Sequence, residues 1–91
     1  MAVLLITYDL NKGAGSFEYD GFFKIRDSYD HTKLSEFSYA LKTDEATDVL
    51  KNKLKAAMDP NDYLYVVTLK HPYSGYGPKT VNEWLAKNLP R

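Results

Sequence analysis

Two runs of residues are apolar at both alternating sets of positions, a pattern typical of strands that are covered on both faces. The first is AVLLITY at residues 2–8, and the second is YLYVVTL at residues 63–69. Between them, the segment DHTKLSEFSYALKT at residues 30–43 places its apolar residues in an imperfect alternation. That segment predicts either one bent strand or a tight hairpin.

Helical spacing of apolar residues predicts two helices between these strands. The first is expected to begin at Ser16, its N-cap, and to run to about Tyr29. The second is expected to have Thr43 as its N-cap, followed by Asp44 and Glu45, because acidic residues in a first turn complement the helix dipole. The positions expected to face the core are Phe17, Gly21, Phe22, Ile25 and Tyr29 in the first helix, and Ala46, Val49, Leu50, Leu54 and Ala57 in the second.

A third, short helix is predicted over residues 80–89. Thr80 and Glu83 have the T-x-x-E spacing of a capping box, in which the two side chains satisfy free backbone N–H groups at a helix start. The apolar stripe of this helix consists of Val81, Trp84, Leu85 and Leu89.

The succession of elements predicts one α+β domain over residues 1–91. If residues 30–43 form a hairpin, the order is the ferredoxin-like βαββαβ with a short additional C-terminal helix. Helices cover only one face of such a sheet, although the first and last strands are apolar on both faces. We therefore expect a second copy of the chain to cover the other face, in a homodimer.

Charge and composition narrow the setting in which this domain works. The chain has 12 basic and 12 acidic side chains, whereas proteins that coat nucleic acid through its phosphates usually carry a basic excess. It has no cysteine, which excludes disulfides and thiolate metal sites. The apolar run near the N-terminus is far shorter than the roughly 20 residues of a membrane span, and it has no signal-peptide pattern. We expect a cytoplasmic protein with no membrane partner.

Four motifs resemble, in their order along the chain, those of two related families. LLITYDLNK at residues 4–12 is similar to the "YD" strand of the small CRISPR-associated ferredoxin-like proteins, the adaptation subunit that pairs with the integrase, and of the virulence-associated protein D family of toxin-type ribonucleases. LSEFSYALKT at residues 34–43 resembles their second motif, a strand in which a serine, here Ser38, precedes a large apolar residue. DPNDYLYVVTL at residues 59–69 resembles their last strand, and NEWLAKNL at residues 82–89 resembles the tail of their uncharacterised small relatives.

This resemblance implies a ferredoxin-like fold, a symmetric homodimer and, for some members, metal-dependent nuclease activity. Asp9 matches the proposed metal ligand of the family, whose counterpart lies across the two-fold axis of the dimer. The chain departs from the CRISPR-associated members where arginines usually follow this aspartate, because only Lys12 stands there, near Glu18 and Asp20. This departure and the balanced charge argue against a role in holding long duplex DNA.

Asp9 has two interpretations. One aspartate per subunit, doubled by dimer symmetry, meets the minimum for Mg²⁺, which takes one or two carboxylates and keeps several waters. Such an ion would activate water or hold a phosphate. The alternative is a carboxylate that accepts backbone N–H groups of the next loop and ends the strand. Asp59 and Asp62, which flank Pro60 and Asn61, are expected to do turn chemistry of this second kind.

The neighbours of Asp9 also allow two interpretations each. Lys12 is a cation that would contact a phosphate, and the GAGS segment at residues 13–16 would either present N–H groups to a phosphate or serve only as a connection. Ser38 would either place a phosphate or water, or bond to the neighbouring strand.

Two pairs of residues in or near loops complete the candidates. Tyr73 and Tyr76 would either stack on bases or pack on the partner subunit. His31 and His71 have the residue type most suited to a general base near neutral pH, but isolated histidines of this kind more often have no catalytic role.

The sequence therefore predicts a Mg²⁺-dependent endonuclease with RNA as the favoured substrate rather than DNA. Asp9 and Ser38 would be its catalytic residues, and Lys12, Tyr73 and Tyr76 would contact the nucleic acid. The alternative is a non-catalytic dimeric module that binds protein or nucleic acid in a phage, defence or toxin–antitoxin setting. A third interpretation is a regulator that binds a nucleotide at the dimer groove.

Overall fold

The computed structural model describes residues 1–13 and 17–91, which form a four-stranded antiparallel sheet and three α-helices. The elements follow one another in the order β-α-β-β-α-β-α. They are β1 (Val3–Asp9), a 3-10 turn (Phe17–Tyr19), α1 (Asp20–Asp27), β2 (Asp30–Ser35), β3 (Ser38–Lys42), α2 (Thr47–Lys55), β4 (Tyr63–Leu69) and α3 (Lys79–Asn88).

The strands lie in the order β2-β3-β1-β4, so β1 and β3 are central and β2 and β4 are the edges. Leu5 of β1 faces Ala40 of β3 on one side and Val67 of β4 on the other. β2 and β3 form a hairpin, which confirms that interpretation of residues 30–43 over a single bent strand. The bounds of β4 are those predicted from its apolar run.

The main core lies between one face of the sheet and the helices α1 and α2. Alternate residues of a strand project to the same face, which is why the central strands contribute every second side chain to it. The rings of Tyr8 and Phe22 meet edge to face inside this core, with their centroids 4.7 Å apart. The buried side chains are Leu4, Ile6 and Tyr8 from β1, Leu10 just after it, Tyr19 from the 3-10 turn, Phe22 from α1, Tyr39 and Leu41 from β3, and Leu50 and Leu54 from α2.

The opposite face of the sheet is covered in part by α3. Val3 and Ala40 are fully buried in a smaller core that includes Leu85 of this helix. The indole N–H of Trp84 donates to Asp30 Oδ1 at 3.0 Å, which fixes α3 to β2. The helix therefore covers the part of this face that adjoins β2 and the start of β1.

The other part of this face, along β4, is open in a single chain. Tyr63, Tyr65 and Val67 alternate along the strand, and their side chains are 65%, 66% and 48% exposed. They lie on the same face as Val3 because they are register partners of Asp9, Thr7 and Leu5. We call these three residues the β4 strip. Their exposure shows that α3 covers only part of this face.

The predicted start of the second helix is wrong. α2 begins at Thr47 and has Ala46 as its N-cap. Thr43 instead remains beside the sheet, because its N–H donates to the Ala2 carbonyl at 3.0 Å. Its hydroxyl accepts from the Glu45 N–H at 3.1 Å, so it caps a local turn that precedes the helix.

The capping box predicted for the third helix is also wrong. Pro78 is the N-cap of α3, and Thr80 lies inside the first turn. The Pro78 carbonyl accepts from the N–H groups of Val81 and Asn82 at 3.1 and 3.2 Å. The helix begins at Lys79 because proline fixes the backbone dihedral just ahead of it, and no side-chain hydrogen bond caps it.

The first helix is shorter than predicted, since α1 covers only Asp20–Asp27 and a 3-10 turn precedes it. The predicted cap Ser16 lies outside the described residues. Four positions expected to face the core are exposed instead: Phe17, at 80%, Gly21, Ala46, and Val49, at 48%. Phe17 belongs to the 3-10 turn, whose period of three residues per turn differs from that of the α-helix used to predict its direction.

Candidate functional site

Asp9 lies at the end of β1 on the open part of the sheet, opposite Tyr63 of β4. Its side chain is exposed, and within residues 1–13 and 17–91 it has no hydrogen-bond or ion-pair partner. Asp9 lines a cavity of about 360 Å³ together with Asn11, Pro60 and Asn61. Carboxylate and amide oxygens are hard donors of the kind that Mg²⁺ takes. The donor set at this end of the sheet is therefore compatible with that ion, although it contains one carboxylate.

Metal binding by one subunit would have to rely on few protein ligands. In the part of the chain that the structure describes, no group of three or more His, Asp or Glu side chains lies close enough together to hold a metal. Mg²⁺ keeps several waters and tolerates one or two carboxylates, so a second Asp9 from another subunit would suffice. The candidate metal site thus depends on how two subunits associate.

Asp62 ties the turn before β4 to the end of β1. Its Oδ1 accepts from the Asn11 N–H at 2.6 Å and from the Tyr19 hydroxyl at 2.9 Å, and its Oδ2 accepts from the Asp59 N–H at 2.8 Å. Asp59 Oδ1 accepts from the Asn61 N–H at 2.9 Å. Both carboxylates therefore hold the backbone in place, as expected of turn residues rather than metal ligands.

The ammonium group of Lys12, the predicted phosphate contact, lies between two carboxylates. Its Nζ is 2.6 Å from Glu18 Oε2 and 3.2 Å from Asp59 Oδ2. The hydrogen bond to Glu18 and then the one to Asp59 raise the pKa of Lys12 above its ordinary value. A phosphate would have to compete with both carboxylates for this cation.

Ser38 and Thr7 are register partners on the central strands, on the same face as Asp9. The Ser38 hydroxyl donates to Thr7 Oγ1 at 3.2 Å. This contact is the bond to the neighbouring strand that the sequence offered as the alternative to a role in placing phosphate or water. Asp9 is two residues further along β1, so Ser38 is close to the candidate metal site without a described base beside it.

Tyr73 and Tyr76 have different environments. The Tyr73 hydroxyl donates to the Asn82 carbonyl at 2.9 Å, and its ring packs against the core under α3. Tyr76 is fully exposed. Both line a cavity of about 320 Å³ between the 70–78 loop and α3, with Leu85 and Leu89 at its base.

The predicted nucleic-acid contacts do not form one surface. The 70–78 loop follows Leu69, whose register partner is Val3, whereas Lys12 follows the Asp9 end of the same strand pair. Val3 and Asp9 are six positions apart along the strand, a span of about 20 Å. A nucleic acid that contacts Lys12 and Tyr76 at once would have to run along the open part of the sheet.

Neither histidine is near Asp9. His31 is on β2, where its Nδ1 lies 2.8 Å from the Tyr29 carbonyl oxygen and its Nε2 lies 3.9 Å from Asp27 Oδ1. His71 follows the far end of β4, and its ring lies beside that of Tyr73, with the centroids 5.8 Å apart. A general base for chemistry at Asp9 is therefore not supplied by the histidines of the same chain.

The structure also draws attention to residues that the sequence analysis did not single out. Tyr63 and Tyr65 alternate with Leu64 and Val66, a signal that they project to the face away from α2. Lys51 and Lys55 are one helical turn apart on α2, a spacing that predicts a shared face. Their proximity to the edge of β4 follows only from the tertiary arrangement.

No family model, curated protein or solved structure matches this chain. Among the described residues, none of the helices is both long and apolar enough to cross a membrane.

Proposed function

We propose that this protein is a non-catalytic homodimeric binding module that works in the cytoplasm. The observation that carries the proposal is the β4 strip: Tyr63, Tyr65 and Val67 form a continuous exposed row beside a well-packed core. Aromatic residues are enriched at protein interfaces, and an exposed apolar row of this kind usually marks one. A two-fold axis through the strip would let the same patch serve both subunits.

We propose in addition that the domain is ferredoxin-like, βαββαβ with an added C-terminal helix. The strand order β2-β3-β1-β4, with a helix after β1 and another after β3, supports this arrangement. The same order supports the proposed kinship with the small CRISPR-associated and virulence-associated D proteins. The absence of cysteine supports a cytoplasmic setting.

The arrangement around Asp9 favours binding over catalysis. Lys12 is paired with Glu18 and Asp59, and the Ser38 hydroxyl is bonded to Thr7. A single exposed carboxylate without a described base or cation beside it lacks the geometry of general acid–base or nucleophilic catalysis.

The dimer is tested by sedimentation velocity over a range of protein concentrations. Val67→Lys is expected to shift the protein to a monomer, because a two-fold interface brings the two introduced charges together. Val49→Lys is a matched control, since Val49 on α2 is exposed to the same 48% as Val67. A wild-type protein that remains monomeric at high micromolar concentration, or a Val67→Lys protein that dimerises like wild type, contradicts the proposal.

A Mg²⁺-dependent endonuclease, with RNA favoured over DNA, is the second candidate function. The observation that favours it is the position of Asp9, exposed on the same face as the β4 strip and in register with Tyr63. A dimer formed through the strip would carry two such carboxylates on one surface. In this case Asp9 would hold Mg²⁺, and Ser38 would help to place a phosphate or water.

Nuclease activity is tested on single-stranded RNA and DNA with Mg²⁺ and with EDTA. The endonuclease proposal expects cleavage that requires Mg²⁺ and that Asp9→Ala abolishes. Asp48→Ala is the control, because Asp48 is exposed on α2. Cleavage that survives Asp9→Ala in a folded protein removes this candidate and leaves the binding module.

A further inference from the structure

β4 is an edge strand that lacks the features with which proteins normally protect an edge. Its residues Tyr63–Leu69 pair with β1 along their whole length without a bulge. No described residue makes a backbone hydrogen bond to the other side of the strand. The sequence YLYVVTL contains neither a charged residue nor a proline. Alternate N–H and C=O groups of β4 therefore point outwards, ready to pair with another extended segment.

The opposite edge of the sheet, β2, is protected in the ways that β4 is not. A bulge between Lys33 and Ser35 interrupts its pairing. Its first residue, Asp30, is charged and is bonded to Trp84 of α3. Within the described residues, β4 is thus the edge that is suited to accept a further strand.

A groove runs along the free edge of β4, between this strand and α2. Two adjoining cavities of about 410 and 340 Å³ share Lys51, Leu64 and Tyr65 in their walls. We call the combined depression the α2–β4 groove. It follows the strand from Tyr63 to Val66, so an extended chain lying in it would run beside the free backbone groups of β4.

Towards the Tyr63 end of this groove, two lysine ammonium groups have no described acidic partner. Lys51 and Lys55 line it from α2, and neither makes an ion pair or side-chain hydrogen bond with a described residue. The carboxylates of Asp59 and Asp62 also line it. Asp59 is paired with Lys12, whereas the Asp62 oxygens accept only from neutral N–H and O–H donors and keep their negative charge, which leaves one carboxylate against two lysines. Asp48 lies at the Val66 end. A segment that complements the groove therefore carries its negative charge near Lys51 and Lys55.

We infer that the α2–β4 groove binds an extended acidic peptide segment of a partner protein, which adds to the sheet as a fifth strand beside β4. The backbone of β4 would supply the hydrogen bonds, and Lys51 and Lys55 would select acidic side chains. This inference rests on the proposed function in that it gives the binding module a class of partner. It uses the backbone edge of β4 with Lys51 and Lys55, whereas the proposed dimer uses the outward side chains of the β4 strip. Tyr63 and Tyr65 border both surfaces, and Val67 belongs to the strip alone.

A peptide fits this groove better than a single-stranded nucleic acid does. The outward N–H and C=O groups of an edge strand match the alternating groups of another polypeptide. Leu64 and Val66 next to the edge offer no polar group to a base.

The test measures binding of labelled peptides by fluorescence anisotropy at low salt. The probe alternates valine with glutamate, and its counterpart alternates valine with lysine. The wild-type protein is expected to bind the glutamate peptide and not the lysine peptide. The double variant Lys51→Glu/Lys55→Glu is expected to bind the glutamate peptide at least about tenfold more weakly and to gain affinity for the lysine peptide. Lys24→Glu on α1 is the matched control, and wild-type affinity is expected for it.

Strand addition is tested separately from charge. A glutamate peptide with alternate backbone nitrogens methylated cannot pair, and it is expected to lose binding. Hydrogen exchange of the β4 amides is expected to slow when the unmodified peptide is bound. Equal affinity for the methylated peptide, or no change in the double lysine variant, overturns the inference. Binding of a single-stranded RNA oligonucleotide in place of the peptide, with the same lysine dependence, also overturns it.

The dimer and the peptide groove can be tested separately with Val67→Lys. Val67 does not line the α2–β4 groove, so Val67→Lys is expected to bind the glutamate peptide even as a monomer. If this variant stays dimeric but the peptide results hold, the proposed dimer surface fails and the groove stands. If it becomes monomeric while no peptide binds, the groove fails and the dimer surface stands.

Discussion

Asp9 and Tyr63 are register partners at one end of β1 and β4, and both side chains are exposed on the open part of the sheet. The carboxylate that suggested a metal site therefore adjoins the aromatic row that suggests an interface. Within one chain, the exposed carboxylate of Asp9 bonds to no described residue. Whether Asp9 takes part in metal binding therefore depends on whether a second subunit packs on the β4 strip. The binding module and the endonuclease both require that dimer.

Asp9→Ala is expected to leave the stability of the fold unchanged, within about 0.5 kcal/mol, because the side chain is exposed and makes no contact with a described partner. The free energy of unfolding from urea titrations is the measurement. A loss above about 1 kcal/mol would show that Asp9 has a structural role, such as ending the strand by accepting backbone N–H groups.

Asp62→Ala is expected to lower the free energy of unfolding by about 1–3 kcal/mol. The substitution removes the acceptor of two backbone N–H groups and of the Tyr19 hydroxyl, and Tyr19 is only 1% exposed. Asp48→Ala on the exposed face of α2 is the control, for which a change below about 0.5 kcal/mol is expected. Equal urea midpoints for the two variants would contradict the role assigned to Asp62.

Leu50→Ala and Val49→Ala are adjacent truncations with opposite expected results. Leu50 is fully buried in the main core, so its loss leaves a cavity and is expected to cost about 2–5 kcal/mol. Val49 is 48% exposed, and its truncation is expected to cost less than about 0.5 kcal/mol in the monomer. Thermal unfolding followed by circular dichroism distinguishes them, and a reversed order would contradict the orientation of α2.

The contribution of Glu45 to stability is expected to disappear in acid. Hydrogen bonds from Lys53, and then from Tyr29, lower the pKa of Glu45 below its ordinary value of 4.5. A carboxylate with a lowered pKa in the folded state stabilises the fold fully above its unfolded pKa, and this stabilisation is lost as the pH falls through the folded pKa.

The measurement compares the wild type with Glu45→Gln. The difference in their free energies of unfolding is expected to be present at neutral pH and to shrink well below pH 4.5. At the alkaline end, Glu45 and then Tyr29 raise the pKa of Lys53 to about 12. That raised pKa predicts a second loss of stability as the pH rises from 10.5 towards 12. A difference that stays constant from neutral to acidic pH would contradict the ion pair.

Much of the secondary structure could be predicted because it depends on local pattern. The apolar run YLYVVTL fixes the bounds of β4, and the alternation around Phe37 fits the hairpin that forms there. The helix starts were mispredicted at Thr43 and Thr80, since Thr43 caps a turn ahead of α2 and Pro78 is the N-cap of α3. A residue type alone does not reveal which of these alternatives is satisfied.

The sequence by itself determined the α+β class of the fold and most core residues, because alternation and helical spacing encode which side chains avoid water. Only the tertiary structure decided what the candidate residues touch. It paired Lys12 with Glu18 and bonded Ser38 to Thr7, contacts between residues whose partners no spacing rule specifies. It also left the edge and one face of β4 open, which depends on where α3 packs and how far it reaches.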